Sequence, residues 1–476
     1  MGIKENTLIN RIFEISEFWF KICFLFYGLM TFNSFFTHTK IISVFLMLTT
    51  IFAGISLIYR LINFKHFINN KIIWLAAAFT VSYIASMLIN IRYFNINSVK
   101  TLLFMGMEFC LLLATDDRKS FEDYKSEIRL FLRIMWFYMF VSAVASIVLM
   151  LCGYSSIVER NGQTVMAGFV WGRLWGVFTD PNYGSVLAAM TVIIALYEFK
   201  GSKNRLWRVL NIINIVVQAL YISFSDSRTG SVVAFVAVGL YCYGNFVKMK
   251  LSMKAAKYCV CVLLSIAVGI CCMGAFKTVN KGYNSVVVLI AQNETVDNTE
   301  EVEEKYIIGR EEDIAKDFSN RRIDLWISGL ETFRLRPVFG VSFNSVVDFA
   351  KDNQPETYLV NNDNGIFNNY HNTLVNVLVG QGAIGLAILL AMIVYAGLKL
   401  IKRVMDSFNK EDYLLRLTLF VLLVAVLASA MFVSELVYAI SVNMMLFWYL
   451  LGVMLKKSGE DSGNDKNKRD NSGIQC

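Results

Sequence analysis

The sequence contains little charge for its length. Only 17% of its 476 residues are Asp, Glu, Lys or Arg, whereas about a quarter is usual in soluble proteins. Histidine is scarcer still, with three residues in the whole chain. An ordinary soluble protein is therefore excluded, and any chemistry that needs histidine must use one of very few positions.

The nine cysteines form no spaced set of metal ligands with histidine. Most lie within apolar segments, which indicates small buried residues rather than disulfides or metal ligands. The chain also lacks an Asp-x-Asp metal site. No small-residue cleavage site follows the first long apolar segment, so we expect no cleavable signal peptide.

Apolar residues, by contrast, make up 56% of the chain and are gathered in blocks. A helical block of about 20 such residues crosses a hydrocarbon core about 30 Å thick. We therefore predict an all-α polytopic integral membrane protein with about twelve transmembrane helices. The predicted spans lie near residues 17–36, 41–61, 72–91, 98–115, 131–152, 182–199, 208–225, 229–247, 256–276, 383–401, 413–434 and 438–455.

Lysine and arginine are concentrated in the short loops on one side of the predicted spans. Basic residues favour the cytoplasmic side of a membrane, so we expect both termini in the cytoplasm. This topology accounts for most of the net charge of +8 without a nucleic-acid partner. The basic loops include Lys65 and Lys71, Arg118 to Arg129, Lys200 to Arg208, Lys248 to Lys257, and Lys402 to Lys410.

Two outer segments, near 153–181 and 277–382, are too long for simple hairpin loops. The larger one contains an acidic stretch at 300–312, which we expect to be solvated and mobile. The chain is accordingly divided into N-terminal helices (1–152), helices with polar outer-face motifs (153–276), a large extracytoplasmic loop (277–382), C-terminal helices (383–457) and a disordered cytoplasmic tail (458–476).

Within the large loop, residues 319–337 show helical periodicity. Apolar side chains recur at helical spacing, charges occupy the other face, and Pro337 ends the pattern. We predict an amphipathic helix on the outer membrane surface; the alternative is a packed extramembrane helix. The apolar positions are Ile323, Trp326, Ile327, Leu330 and Phe333.

The stretch Gly380-Gln381-Gly382-Ala383-Ile384-Gly385 matches the GxGxxG pattern of dinucleotide-binding turns. That motif requires a preceding strand and a parallel sheet, whereas here a helical pattern precedes it and a predicted span follows. We therefore interpret these glycines as a bend or break where the chain enters the membrane, or as a site of close helix packing.

Four polar motifs lie where the predicted topology brings the chain to the outer face. Arginine at membrane depth is costly and generally has a partner or a function. Guanidinium groups suit phosphate oxygens, and imidazole is the usual general base near neutral pH. The motifs are Arg173 with Asp180 and Asn182, Arg228 in DSRTG (226–230), the pair Arg321-Arg322, and His371-Asn372.

Each of these residues also has a purely structural interpretation. Arg228 would snorkel to the interface, Arg321 and Arg322 would occupy a solvated helix face, Arg173 would anchor a loop, and His371 would be a packed histidine. Their shared location on one face favours the chemical interpretation, in which a lipid phosphate leaves and a hydroxyl is activated.

The motifs, taken in their order along the chain, resemble those of a known protein family. The ordered set is Arg173-x-x-Gly176-x-Phe178-x-Asp180-Pro181-Asn182, Ser225-x-Ser227-Arg228-Thr229-Gly230, Arg322-x-x-x-Trp326, Pro337-x-x-Gly340-Val341, and His371-Asn372-x-Leu374 leading to Gly382-x-x-Gly385. This set resembles the O-antigen ligase/polymerase family, the Wzy-type bacterial polysaccharide polymerases and lipopolysaccharide ligases, over roughly residues 170–400. It departs from the family at Ser342, where many members have a glycine.

The resemblance implies a GT-C-like, metal-independent membrane glycosyltransferase with a lipid-diphosphate sugar donor and no cofactor. By position, Arg228 and Arg322 would bind the leaving diphosphate, and His371 would activate the acceptor hydroxyl. Arg322 is favoured over Arg321 because its spacing to the tryptophan matches the family. The implied substrate-binding residues are Arg173, Arg321, Asp180, Asn182, Trp326 and Asn372.

We therefore expect a polymerase of O-antigen, capsule or exopolysaccharide at the outer face of the bacterial cytoplasmic membrane. It would move the growing chain from one undecaprenyl diphosphate carrier to the next lipid-linked repeat. The alternatives are a ligase that transfers glycan to a lipid A core, a flippase or transporter of the lipid-linked oligosaccharide, and a scaffold. Expected partners are the lipid-linked oligosaccharide, membrane lipid, and flippase and chain-length regulator proteins.

The topology can be tested by cysteine accessibility. Single cysteines placed at 300–310, in a variant without native cysteines, should react with a membrane-impermeant maleimide added to intact cells, because the charge rule puts this loop outside. Cysteines in the basic loop at 200–208 are the control and should react only after permeabilisation. Reaction of the 300–310 positions from the cytoplasm alone would contradict the topology.

Overall fold

The computed structural model describes residues 7–160, 163–248, 254–293, 306–309, 321–362, 365–434, 436–438 and 440–456. Apart from residues 306–309, the acidic stretch at 300–312, for which mobility is predicted, lies outside these residues, as does the tail at 458–476, for which disorder is predicted. Within them, the chain is mostly helical, and one small antiparallel sheet interrupts the helices.

The helices follow the predicted apolar segments closely. In chain order they are α1 (Thr7–Thr31), α2 (Lys40–Ile62), α3 (Lys71–Ile89), α4 (Ile96–Met107, extended by a π-helical turn, Glu108–Leu113), α5 (Phe121–Leu151), α6 (Pro181–Gly201), α7 (Arg205–Phe224), α8 (Arg228–Phe246), α9 (Lys254–Asn293), α10 (Arg322–Leu335), α11 (Val346–Asn353), α12 (Thr373–Asp406), α13 (Tyr413–Ala430) and α14 (Val442–Met454).

Ten of the described helices, α2 to α9 with α12 and α13, are long and apolar enough to cross a membrane. The two other predicted spans correspond to α1, which carries four charged residues between Arg11 and Lys21, and to α14, which has 13 residues. The class of all-α polytopic membrane protein is confirmed.

Polar residues of the predicted motifs fix where three of these helices begin. A helix leaves its first backbone N–H groups without intrahelical partners, and a side-chain oxygen just before the helix can accept from them. Asp180 accepts from Asn182 N–H at 2.7 Å before α6, Ser227 accepts from Gly230 N–H at 3.0 Å before α8, and Asn372 accepts from Leu374 N–H at 2.9 Å before α12.

The outer segment between α5 and α6 forms a three-stranded antiparallel sheet that the sequence analysis did not predict. Its strands are β1 (Ser155–Arg160), β2 (Gln163–Val170) and β3 (Arg173–Gly176), in the order β1-β2-β3. Just beyond β3, Val177 N–H donates to Ser146 Oγ of α5 at 3.0 Å. The sheet is thereby fixed to the helical bundle, with Arg173 at the start of β3.

Helix α12 is broken at Gly382, where φ is 70° and ψ is −167°. The predicted bend is therefore present. The segment after Pro337 supplies hydrogen bonds to the backbone groups that the break would leave unpaired. These bonds are Val341 N–H to Val379 O (2.9 Å), Ser342 N–H to Gly380 O (3.0 Å) and Ala383 N–H to Pro337 O (2.8 Å).

Polar side chains in and just after α3 also form hydrogen bonds to the backbone around this break. Ser86 Oγ donates to Gly380 O at 2.7 Å, and Asn90 Nδ2 donates to Gly340 O at 3.0 Å. Ser342 has φ 66°, in the region that favours glycine, which gives a physical reason why a glycine is frequent there in the resembling family.

Helix α10 packs on the protein with a face that the sequence analysis did not identify. Its buried residues are Leu325, Ser328, Gly329 and Thr332, and they lie over a small extramembrane core that includes Tyr370. Three of the predicted apolar positions, Ile323, Ile327 and Leu330, remain 46–53% exposed. The helix is thus packed on the protein through these residues. Its position relative to the membrane surface stays a prediction.

Replacing Gly382 by alanine should destabilise the protein by about 2 kcal/mol or more, because the backbone conformation there is strained for an L-residue. An added methyl group would also overlap the carbonyl group of Val338. The measurement is thermal unfolding of the purified protein in detergent.

Gly397→Ala is the matched control in the same helix. No atom lies within 4 Å of a methyl group added there, so helix propensity should make this change neutral or stabilising by up to about 1 kcal/mol. Equal losses in the two variants would contradict the assigned role of Gly382.

Candidate active site

Arg173 joins three elements at one end of the bundle. Its side chain, on β3, is buried, with 8% of its surface exposed. Its Nε donates to the carbonyl oxygen of Ser225, at the end of α7, at 2.8 Å, and its Nη2 donates to Asn182 Oδ1, in α6, at 3.1 Å. The guanidinium group therefore fixes the start of α6 relative to the α7–α8 turn.

Asn182 extends this connection to α8. Its Oδ1 also accepts from Ser227 Oγ at 2.9 Å, and Ser227 caps α8. A methyl group added to Gly230 would overlap the Ser185 side chain, so α6 and α8 approach closely at this point. The two helices therefore begin side by side, with their N-termini held by one amide oxygen.

Two arginines meet at the N-terminus of α8. Arg228 is the first residue of that helix, and Arg322, the first residue of α10, donates from Nη2 to Thr229 Oγ1 at 3.3 Å. A helix N-terminus carries partial positive charge and free N–H groups, which favour an anion. With the Arg322 guanidinium group beside it and Arg228 as its first residue, this end of α8 suits a phosphate or diphosphate.

The structure distinguishes between the adjacent arginines of the 321–322 pair. Arg322 reaches α8 and also lies over the ring of Phe432, at 5.6 Å from its centroid. Arg321 is exposed and has φ 63° at the position that precedes α10. Arg322 is therefore the member of the pair that faces the candidate site.

His371 lies immediately before α12 in a constrained backbone conformation. Its φ is 48°, which is uncommon for a residue with a side chain. Its N–H donates to Asn369 Oδ1 at 2.8 Å, and its ring packs edge-on against Phe367, with centroids 6.0 Å apart. Such outliers persist where the surroundings hold them and are frequent at functional sites.

The neighbours of His371 are fixed on both sides. Trp326 Nε1 donates to the carbonyl oxygen of Tyr370 at 3.1 Å. Asn372 caps α12, and its Nδ2 donates to the carbonyl oxygen of Met431 at 3.0 Å. Both side chains were predicted to bind substrate, whereas these contacts hold the backbone on which His371 is placed.

Burial and two charges set the protonation of His371. Burial lowers its pKa below the ordinary value of about 6.5. Of the two nearby charges, the Asp180 carboxylate raises the pKa and the Arg322 guanidinium lowers it. The net result is a neutral imidazole at pH 7. Asp180 and Arg322, from two other motifs, therefore each lie within electrostatic reach of His371.

The loop between α13 and α14 contributes residues that the sequence analysis missed. Ser434 Oγ donates to Asn369 Oδ1 at 2.9 Å and also bonds to the amide of Asn376, while Phe432 contacts Arg322. The sequence feature that could have identified this loop is Ser434, a polar residue close to the boundary between two apolar segments. Polar residues of that kind, however, are common at the ends of membrane helices.

In the described part of the chain, one group of His, Cys, Asp or Glu side chains is close enough together to share a metal ion. It consists of His66, Asp116 and Asp117, and it is not part of the candidate active site. These residues belong to the loops after α2 and α4, at the other end of the bundle. Metal independence stays a prediction.

The fold and the site together define a polytopic helical membrane protein with a cationic, histidine-containing site at one end. Residues 213–390 match the family model described as O-antigen ligase (Wzy_C). This match confirms the resemblance to the O-antigen ligase/polymerase family over this part of the chain. It supports a polysaccharide ligase or polymerase.

The matched region includes Arg228, Arg322 and His371, and it begins after Arg173, Asp180 and Asn182. No curated protein matches the chain. The matched region therefore contains the two arginines and the histidine, whose roles stay predictions.

The lowered pKa of His371 can be measured by NMR of the labelled imidazole rings. With three histidines in the chain, loss of one signal in His371→Gln assigns the residue. We expect a titration midpoint below about 6.5. Asp180→Asn should lower the midpoint further, because it removes a charge that favours the protonated ring, and asparagine still caps α6.

Arg322→Gln should raise the midpoint, because it removes a charge that disfavours the protonated ring. Opposite shifts in the two variants are the expected result. A wild-type midpoint above the ordinary value, or shifts of the same sign in both variants, would contradict the arrangement of charges around His371.

Proposed function

We propose that this protein is a membrane glycosyltransferase that moves a glycan chain from an undecaprenyl diphosphate carrier to a hydroxyl group of the next lipid-linked repeat. The single observation that carries the proposal is the contact of Arg322 with Thr229. This contact brings the Arg322 guanidinium group to the helix N-terminus that begins with Arg228. Arg322 also lies within electrostatic reach of His371, whose pKa is lowered. Such a site suits an anionic leaving group and a hydroxyl nucleophile.

Arg228 and Arg322 act on the leaving group. As the bond between the sugar C1 and the phosphate oxygen breaks, negative charge grows on the diphosphate, and the electron pair of the bond stays with it. Permanently charged donors that are already in place stabilise this charge without reorganisation. The N-terminus of α8 adds its partial positive charge to the same position.

His371 acts on the acceptor. Its lowered pKa leaves a ring nitrogen free to accept the proton of the attacking hydroxyl while the new bond from that oxygen to C1 forms. The imidazolium that results is stabilised by Asp180, whose charge raises the pKa of His371. The proton is released to water before the next cycle.

Trp326 and Asn372 support the reaction by positioning His371. The indole N–H holds the carbonyl group of Tyr370, and the Asn372 amide holds the loop after α13. Arg173 and Asn182 likewise position the start of α8. In this proposal, direct contact with the diphosphate and the acceptor is made by Arg228, Arg322 and His371.

The second candidate is a ligase that transfers the completed glycan to a lipid A core, which the description of the matched family favours. Both reactions need the same leaving group and the same kind of base, so one site serves either. A flippase is less well supported, because the motifs converge on one end of the bundle, whereas transport predicts charged groups near the bilayer midplane.

His371→Ala and Arg322→Ala should each reduce glycan transfer by about 100-fold or more, because each variant removes a group that acts in the transition state. The measurement is the distribution of lipid-linked glycans in membranes from cells that make the polysaccharide. A polymerase variant accumulates single lipid-linked repeats. A ligase variant accumulates long chains that stay on the carrier.

The adjacent residue supplies a matched control for Arg322, since Arg321→Ala removes the same charge from an exposed position. His66→Ala is the control for His371. Both controls should leave the product unchanged. Normal polymer in either site variant, with wild-type amounts of protein in the membrane, would show that the assigned role is wrong.

A further inference from the structure

A polar cavity of about 900 Å³ lies at the end of the bundle opposite the candidate active site. Helix α12 connects the two sites. It begins at Thr373, beside His371, and Lys399 lines the cavity about 40 Å further along at about 1.5 Å per residue. The cavity is therefore separate from the glycosyltransferase chemistry, and by the charge rule it faces the cytoplasm.

The lining of this cavity is strongly basic. Of its 14 lining residues, six are Lys or Arg and one, Asp117, is acidic. The basic residues come from α3, from the end of the α4–α5 connection, from α12 and from the segment just after α14. They are Lys71, Arg118, Lys119, Lys399, Arg403 and Lys456.

Two aspartates near the cavity already form hydrogen bonds with neighbouring side chains. Asp117 accepts from His66 Nδ1 at 2.8 Å, and Asp116 accepts from Arg118 Nε at 2.9 Å. In the described part of the chain, Lys71 and Lys399 form no ion pair and are exposed. The cavity therefore keeps positive charge that its own carboxylates do not cancel.

Lys456 is held at the cavity by the backbone of a neighbouring loop. Its amino group bonds to the carbonyl oxygen of Asp116, which keeps this basic residue beside the others of the lining.

Apolar surface adjoins the basic residues on the same helices. Trp74, one turn after Lys71 in α3, and Leu398, beside Lys399 in α12, are both more than 60% exposed. Basic pockets between transmembrane helices on the cytoplasmic side suit lipid headgroups. We propose that this cavity binds the phosphate headgroup of an anionic membrane phospholipid, whose acyl chains lie along Trp74 and Leu398.

The test uses the full-length protein, delipidated in a neutral detergent and titrated with phosphatidylglycerol or phosphatidylcholine, with bound lipid read by native mass spectrometry. Phosphatidylglycerol should bind more tightly. Lys71→Ala/Lys399→Ala should weaken its binding about tenfold or more, because each basic residue near an anionic headgroup contributes about a factor of five. Binding of phosphatidylcholine should not change.

Lys65→Ala/Lys402→Ala is the matched control. It removes two exposed positive charges at the same end of the bundle from residues outside the cavity lining. This variant should keep wild-type affinity, and Lys71→Arg/Lys399→Arg should also keep it. Equal losses in the two alanine variants would mean general surface attraction and would overturn the proposal.

The wild-type protein tests the same proposal without any substitution. Retention of phosphatidylglycerol in millimolar inorganic phosphate supports a lipid site. Displacement by inorganic phosphate would mean a site for a soluble phosphate, and equal affinity for the two lipids would mean no headgroup recognition. Either result overturns the proposal and leaves the assignment of His371 and the arginines unaffected.

Discussion

The side-chain oxygen of Asn182 holds together the helix ends on which the candidate active site is built. It accepts hydrogen bonds from Arg173 and from Ser227, and Ser227 in turn caps α8. One neutral amide oxygen thus joins β3, α6 and α8. The N-terminus of α8, which begins with Arg228 and which Arg322 contacts through Thr229, is therefore placed by a small hydrogen-bonded group.

The membrane imposes a second constraint, because backbone groups at membrane depth need partners. The break of α12 at Gly382 meets this requirement through the segment after Pro337 and through Ser86 of α3. The segment between α10 and α12 is consequently hydrogen-bonded to the helical bundle. Since α10, which leads into this segment, carries Arg322 and Trp326, the bonds that satisfy the break also bring an arginine and a positioning residue to His371.

The apolar segments, the helix starts at Asp180 and Asn372, and the bend at the glycines could be predicted from sequence, because each depends on residues close together in the chain. The contact of Trp326 with Tyr370 and that of Ser434 with Asn369 could not, since each joins distant segments. The packing face of α10 was not predicted, because apolar residues are usually expected to face the protein core. In a membrane protein an apolar stripe can instead face lipid, while small residues such as Ser328 and Gly329 face the protein.

The break in α12 divides the helix into two parts with different surroundings. The nine residues from Thr373 to Gln381 are attached to the extramembrane core, whereas the part after Gly382 lies among spans that contact lipid. Helices respond to changes in bilayer thickness by tilting or bending. Because Ala383 N–H donates to Pro337 O just after the glycine, the lower part is joined to the same loop as the upper part, so a tilt of the lower part would be passed on to the loop that carries Arg322.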